Sequence, residues 1–224
     1  MNSKALVAEF VSTFALTFVG IGAIAANAMS GGALGLVGIA LAHGLTLAVF
    51  ITVTAHISGG HVNPAVSVGA WITGKLPTAG LVGYILAQCA GAILAAFLIK
   101  LAMPAAALTE VGMGTPAINT AAGVTVGMAL AMEAVLTFFL MFAVYGTAID
   151  RRAPKLGGLL IGLTVAFDIM AGGPVSGAAM NPARHLGPAL LGGGTQNLWI
   201  YWVGPILGAS LAALLYHRIL EEPA

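Results

Sequence analysis

Charge is scarce in this chain. Asp, Glu, Lys and Arg make up only 7% of its 224 residues, and aromatic residues are equally few at 7%. The formal net charge is +1, so there is no basic footprint for nucleic acid. A single cysteine, Cys89, excludes an intrachain disulfide and reads as a small packing residue in an apolar stretch. His43, His56, His61, His185 and His217 have no cysteine or carboxylate at ligand spacing, so no metal site is expected. No phosphate loop, nucleophile elbow or dinucleotide fingerprint occurs. Enzymatic chemistry is therefore the least supported class, and no cofactor is expected.

What fills the chain instead is apolar: 59% hydrophobic residues and a mean hydropathy of +1.02. A membrane-spanning helix needs about 20 mostly apolar residues. Stretches of that kind run roughly over 5–28, 34–55, 79–101, 121–148, 156–173 and 198–217. The longest connection outside them is about 102–120, which leaves no room for a soluble domain. Lys4, an apolar run and Ala26-Asn27-Ala28 imitate a signal peptide, but Glu9 interrupts the run and the run is long for one, so the segment is expected to stay. With the N-terminus inside, Lys4, Lys75, Arg151, Arg152, Lys155 and Arg218 fall on the inner side and Lys100 on the other. This asymmetry places both termini in the cytoplasm. Short tails without phosphorylation-rich segments suit a multi-pass protein of a prokaryotic cell membrane.

The chain repeats itself. Gly44, Ser58, Gly59, Asn63 and Gly69 recur as Gly162, Ser176, Gly177, Asn181 and Gly187, each 118 residues on. Glu9 with Thr13-Phe14 is echoed by Glu133 with Thr137-Phe138, and Tyr84 with Gly91 by Tyr201 with Gly208. The whole 1–224 reads as one domain, with a first repeat about 1–103 and a second about 118–224. Three crossings per repeat invert the second against the first. Within each repeat, Asn63-Pro64-Ala65 and Asn181-Pro182-Ala183 open a short apolar stretch. Asn is a good N-cap and Pro suits the first helical position. The expected fold is thus all-α: six transmembrane helices plus two re-entrant half-helices whose N-terminal ends meet mid-membrane. Shared glycines such as Gly83, Gly91, Gly204 and Gly208 would let the helices approach closely.

Polar residues in such surroundings are candidates for function. Asn63 and Asn181 would cap their helices and leave side-chain NH2 donors facing a lumen. Each helix N-terminus adds about half a positive charge, which disfavours cations. Gly59, Gly60, His61 and Val62, and Gly177, Ala178, Ala179 and Met180, form irregular backbone that must line a wet path, their carbonyls a ladder of acceptors. Arg184 should face a water-filled cavity. Glu9 and Glu133 are read as acids that hold the two loops in shape, with proton relay the lesser reading.

In these motifs the chain resembles the aquaporins of the major intrinsic protein family, over essentially its whole length. Ser58-Gly59-Gly60-His61-Val62-Asn63-Pro64-Ala65-Val66 and Ser176-Gly177, Met180-Asn181-Pro182-Ala183-Arg184 and Gly187-Pro188 carry the likeness. The resemblance implies a homotetramer with one pore per subunit and a selectivity filter at His43, Ile169, Ala178 and Arg184. Strict water channels usually have Phe and His at the first two filter positions. The set here is similar to plant tonoplast intrinsic proteins, several of which also pass ammonia, urea or hydrogen peroxide. Glycerol facilitators place Asp after the motif arginine, where this chain has His185. They also lack an aromatic pair like Tyr201-Trp202. The resemblance implies passive conduction of water, with possible leakage of small neutral solutes, and exclusion of protons and ions. A glycerol facilitator is the alternative. A gradient-driven transporter is a more distant one and would need a coupling-ion site, for which Asp168, Glu9 and Glu133 are the only candidates.

Overall fold

The computed structural model describes residues 2–154 and 156–222. Lys155, counted above on the inner side, lies outside the described residues. Among the described residues six helices are long and apolar enough to cross a membrane. They are α1 (Ser3–Met29), α2 (Gly35–Ser58), α4 (Thr78–Ala102), α6 (Val126–Val144), α7 (Gly157–Ser176) and α9 (Ile200–Leu215). The fourth and sixth of these continue as wide π turns, Tyr145–Ile149 and Tyr216–Leu220. Two short helices follow the Asn-Pro dipeptides, α3 (Pro64–Ile72) and α8 (Pro182–Pro188). A further short helix, α5 (Ala105–Glu110), lies in the α4–α6 connection.

Several helix ends differ from the expected bounds for local reasons. The fourth span begins at Val126 rather than 121, because Thr125 caps it by accepting from the Met128 amide and Gly123 before it is left-handed (φ 76°). The fifth runs to Ser176 rather than 173. Pro174 lies inside its last turn, and the stop is Gly177 (φ 81°). The second runs to Ser58 and stops at Gly59 (φ 89°).

The packing crosses the two halves. α1 lies against α2 and α4, and α6 against α7 and α9. α2 and α7 meet each other at the centre. The half-helices are exchanged: α3 packs on α9 as well as α4, and α8 packs chiefly on α4. Glycine makes the central contact possible. A Cβ on Gly44 would stand 2.5 Å from the Gly162 carbonyl oxygen and 2.8 Å from the Ala166 Cβ. Small residues at such crossings let the backbones touch and gain dispersion contacts where lipid removes any hydrophobic drive. Large apolar residues such as Val7, Leu86, Leu101 and Leu211 are left on the outside, as a lipid-facing surface requires.

Candidate functional site

The two Asn-Pro turns meet and bond to each other. Asn63 has extended backbone (φ −151°, ψ 124°), and its Oδ1 accepts from the Ala65 amide at 2.8 Å. Asn181 does the same for Ala183 (3.1 Å) and Arg184 (3.2 Å). Each carboxamide then donates across to the other loop. Asn63 Nδ2 donates to the Met180 carbonyl at 2.8 Å, and Asn181 Nδ2 to the Val62 carbonyl at 2.9 Å. One N–H of each pair is thereby spent on joining the loops and one remains. The expectation that both donors are free is corrected accordingly.

The loops that deliver these asparagines share a backbone pattern. Gly59, Gly60 and Val62 are left-handed (φ 89°, 64° and 57°), and so are Gly177, Ala178 and Met180 (φ 81°, 46° and 52°). Val62, Ala178 and Met180 would not choose this region, so something must enforce it. The two buried acids do. Glu9 Oε1 accepts from Ser58 Oγ (2.6 Å) and the His61 amide (2.9 Å), and its Oε2 from the Val62 amide (2.6 Å) and Gln88 Nε2 (2.8 Å). Glu133 accepts from Ser176 Oγ (2.7 Å) and the amides of Ala179 (2.9 Å) and Met180 (2.7 Å). Two tyrosines finish the brace: Tyr84 donates to the Ser58 carbonyl (2.7 Å) and Tyr201 to that of Ser176 (2.8 Å). The repeat contained a signal for these tyrosines, since they occupy matching positions.

An inner cavity runs along the joined loops. Its polar lining comes from Gly60, His61, Asn63, Ala179, Asn181 and Arg184, and its apolar wall from residues such as Leu47, Ile51, Val144 and Val165. Gly60, His61, Ala178, Ala179 and Met180 line the inner cavity, and Gly177 lines a vestibule beyond it. Gly59 and Val62 line neither. The Val62 carbonyl already accepts from Asn181 Nδ2, so it is engaged in joining the loops.

His43, Ile169 and Arg184 line both the inner cavity and the vestibule, so they stand at the neck between them. Ala178 lines the inner side of that neck. The Arg184 guanidinium is tied at two points. Nη1 donates to the Gly114 carbonyl at 2.9 Å, and Nη2 lies 3.1 Å from His43 Nε2. His43 Nδ1 is 2.9 Å from the Ile39 carbonyl, which fixes the hydrogen on that nitrogen and leaves Nε2 to accept from Arg184. Gly20 on α1 leaves room for the imidazole, which a Cβ there would strike. Neither Gly114 nor Gly20 was foreseen. A backbone carbonyl from a distant loop and the absence of a methyl group leave no mark in residue type. At the far end, Ile51 is shared between the inner cavity and a third hollow formed by α2 and the 147–159 segment.

The remaining polar candidates stand apart from this route. His185 is buried and stacks on Tyr201, with ring centroids 3.9 Å apart, and Asp168 is buried too. Neither lines the inner cavity or the vestibule. No cluster of His, Cys, Asp or Glu suited to a metal ion occurs among the described residues.

Six spans around two meeting half-helices, with a lined cavity along the joined loops, define a multi-pass membrane protein of channel architecture. The family model for the major intrinsic proteins matches residues 1–216, and the chain belongs to that family. It is similar to "Aquaporin TIP4-4" of Zea mays, 44% identical over 95% of this chain and 85% of that one. It is similar also to "Aquaporin TIP2-1" of Arabidopsis thaliana, 42% identical over 96% of this chain and 87% of that one. Among solved structures, the aquaglyceroporin of Plasmodium falciparum shares the fold with a TM-score of 0.86 at 23% identity, covering 97% of this chain and 96% of that one.

Proposed function

We propose that this protein is a passive channel that conducts water in both directions and excludes protons and other ions. The observation that carries this reading is the pair of cross-bonded asparagines on one cavity. Each has one N–H left, and both are capped onto helix ends that carry partial positive charge. A water between them turns its oxygen to both donors and its hydrogens outward. Waters on either side then point in opposite senses, which interrupts a relay of protons. The apolar wall offers few competing hydrogen bonds, so water passes quickly, while a cation would lose its hydration without replacement and meet Arg184.

His43, Ile169, Ala178 and Arg184 act as the selectivity filter in this reading. Small Ala178 and apolar Ile169 favour leakage of small neutral solutes such as ammonia, urea or hydrogen peroxide. That relatives are named aquaporins supports water as the permeant. A coupled transporter is disfavoured, because Glu9 and Glu133 are occupied in bracing loops and Asp168 does not reach the passage. The protein is placed in a cell membrane as a homotetramer with both termini cytoplasmic. It acts without an enzymatic step.

Stopped-flow light scattering on proteoliposomes tests the claim. Osmotic shrinkage should be much faster than in protein-free vesicles, with no dissipation of a pH gradient. Shrinkage at the protein-free rate would refute water conduction, and glycerol uptake much faster than in protein-free vesicles, without faster water flux, would favour a glycerol facilitator.

A further inference from the structure

Among the described residues five non-glycines have left-handed backbone: Val62, Met113, Ala178, Met180 and Asn197. Three belong to the braced loops, and Asn197 is an exposed asparagine, a residue type that tolerates this region. Met113 (φ 57°) has neither excuse. It lies between Gly112 (φ 53°) and Gly114 (φ 62°), in a tight turn of the α4–α6 connection. Its side chain is 5% exposed and fills a cluster made by Ile21 and Ala25 of α1, Ala96 and Ile99 of α4, and Leu108 of α5. Strain of this kind persists only where the surroundings over-determine it, and it tends to gather at functional sites.

The next residue shows what the strain accomplishes. Gly114 supplies the carbonyl that accepts from Arg184 Nη1. Its backbone lies so close to α1 that a Cβ would stand 3.3 Å from the Ile21 Cα. Among the described residues the Arg184 guanidinium has one other tie, to His43. The aim of that guanidinium therefore depends on where Gly114 is held, and Met113 is the anchor beside it. We propose that Met113 is a positioning residue for the filter: its buried side chain pins the turn to α1 and α4, so that the Gly114 carbonyl holds Arg184 against the wall of the neck. This rests on the reading of Arg184 as a filter residue.

The test compares urea and water permeability of full-length protein in proteoliposomes. Met113→Ala deletes the anchor. Met113→Gly deletes it too but accepts the left-handed backbone without strain, which safeguards folding. Met113→Leu retains an apolar side chain of similar volume. Both truncations should raise the urea-to-water ratio several-fold, and Met113→Leu should stay near wild type. In an Arg184→Ala background, whose own ratio is raised, the Met113 truncations should add nothing. A wild-type ratio in Met113→Gly would overturn the proposal, and so would an equal increment with and without Arg184. If Arg184→Ala itself leaves the ratio unchanged, the filter reading fails and the proposal falls with it.

Discussion

Glu9 and Glu133 brace equivalent loops with unequal help. Glu9 receives four donors and Glu133 three, because Gln88 has Pro205 as its counterpart in the second half. Replacing either acid by glutamine turns one acceptor oxygen into an NH2 group facing a backbone amide. At Glu9 a neighbour can adapt: Gln88 Oε1 has no hydrogen-bond partner, and turning that amide would let it accept from the new NH2. At Glu133 the matching position is Pro205, which has no side-chain amide to turn. Leaving a buried donor unsatisfied costs about 1–3 kcal/mol. Glu133→Gln should therefore lower the thermal midpoint in detergent more than Glu9→Gln, measured by tryptophan fluorescence. A larger drop for Glu9→Gln would contradict this account. The acids themselves were legible because a carboxylate in an apolar helix must have partners. Asn63, Asn181 and Arg184 stood out for the same reason, and all three line the inner cavity. Gln88 and Gly114 did not stand out. An uncharged amide and a main-chain oxygen acquire their meaning only from a chain segment many residues away.

At the scale of the helix, the spans were legible because a bilayer demands an apolar run of fixed length, and glycine marks where helices end or touch. What could not be read was which glycine does which. Gly44 faces the Gly162 carbonyl across the α2–α7 crossing, while a Cβ on Gly22 of α1 would meet only Ile99 Cδ1, at an ordinary 3.7 Å. A methyl on Gly44 must push two backbones apart, and overpacking of this kind costs about 1–3 kcal/mol. A methyl on Gly22 meets no such wall and gains helix propensity, at most about 1 kcal/mol. Gly44→Ala should lower the thermal midpoint and Gly22→Ala should leave it level or raise it. Equal effects would mean that the α2–α7 approach is not the constraint. The short α5 and the turn at Met113 were hidden for a related reason. Their bounds depend on docking against α1, which periodicity in so few residues does not encode.

Across the whole molecule, one face gathers a network of paired charges. Lys75 Nζ meets Glu221 at 2.5 Å, and His217 Nδ1 meets the same carboxylate at 2.5 Å. Arg152 joins the α6–α7 loop to the C-terminal segment through Glu222 (3.1 Å) and the Leu220 carbonyl (2.7 Å). Asp150 orients that arginine, accepting from its Nη2 at 2.6 Å, its Nε at 3.0 Å and its amide at 2.9 Å. Hydrogen bonds from the Arg152 side chain, then from its amide, hold the Asp150 carboxyl well below the usual carboxylate range. For Glu221 burial works against ionisation, and the hydrogen bonds from Lys75 and His217 outweigh it, so its value is lowered too. A folded-state value below the unfolded one means stability that is fully present above the unfolded value and lost as pH falls through the folded one. The unfolded value for aspartate is about 3.9. The thermal midpoint of wild type should therefore exceed that of Asp150→Asn by a constant margin from neutral pH down to about pH 5. The margin should close only below about pH 4. It should also shrink in high salt, since these groups border solvent. A margin that closed near pH 6 instead would refute a clamp held by the Asp150 carboxylate. The same charges carry the sidedness of the molecule. Lys75, Asp150 with Arg152, and Glu221 follow the second, fourth and sixth crossings, an even number each time, so six complete crossings bring two connections and the C-terminal segment to one face, where they pair.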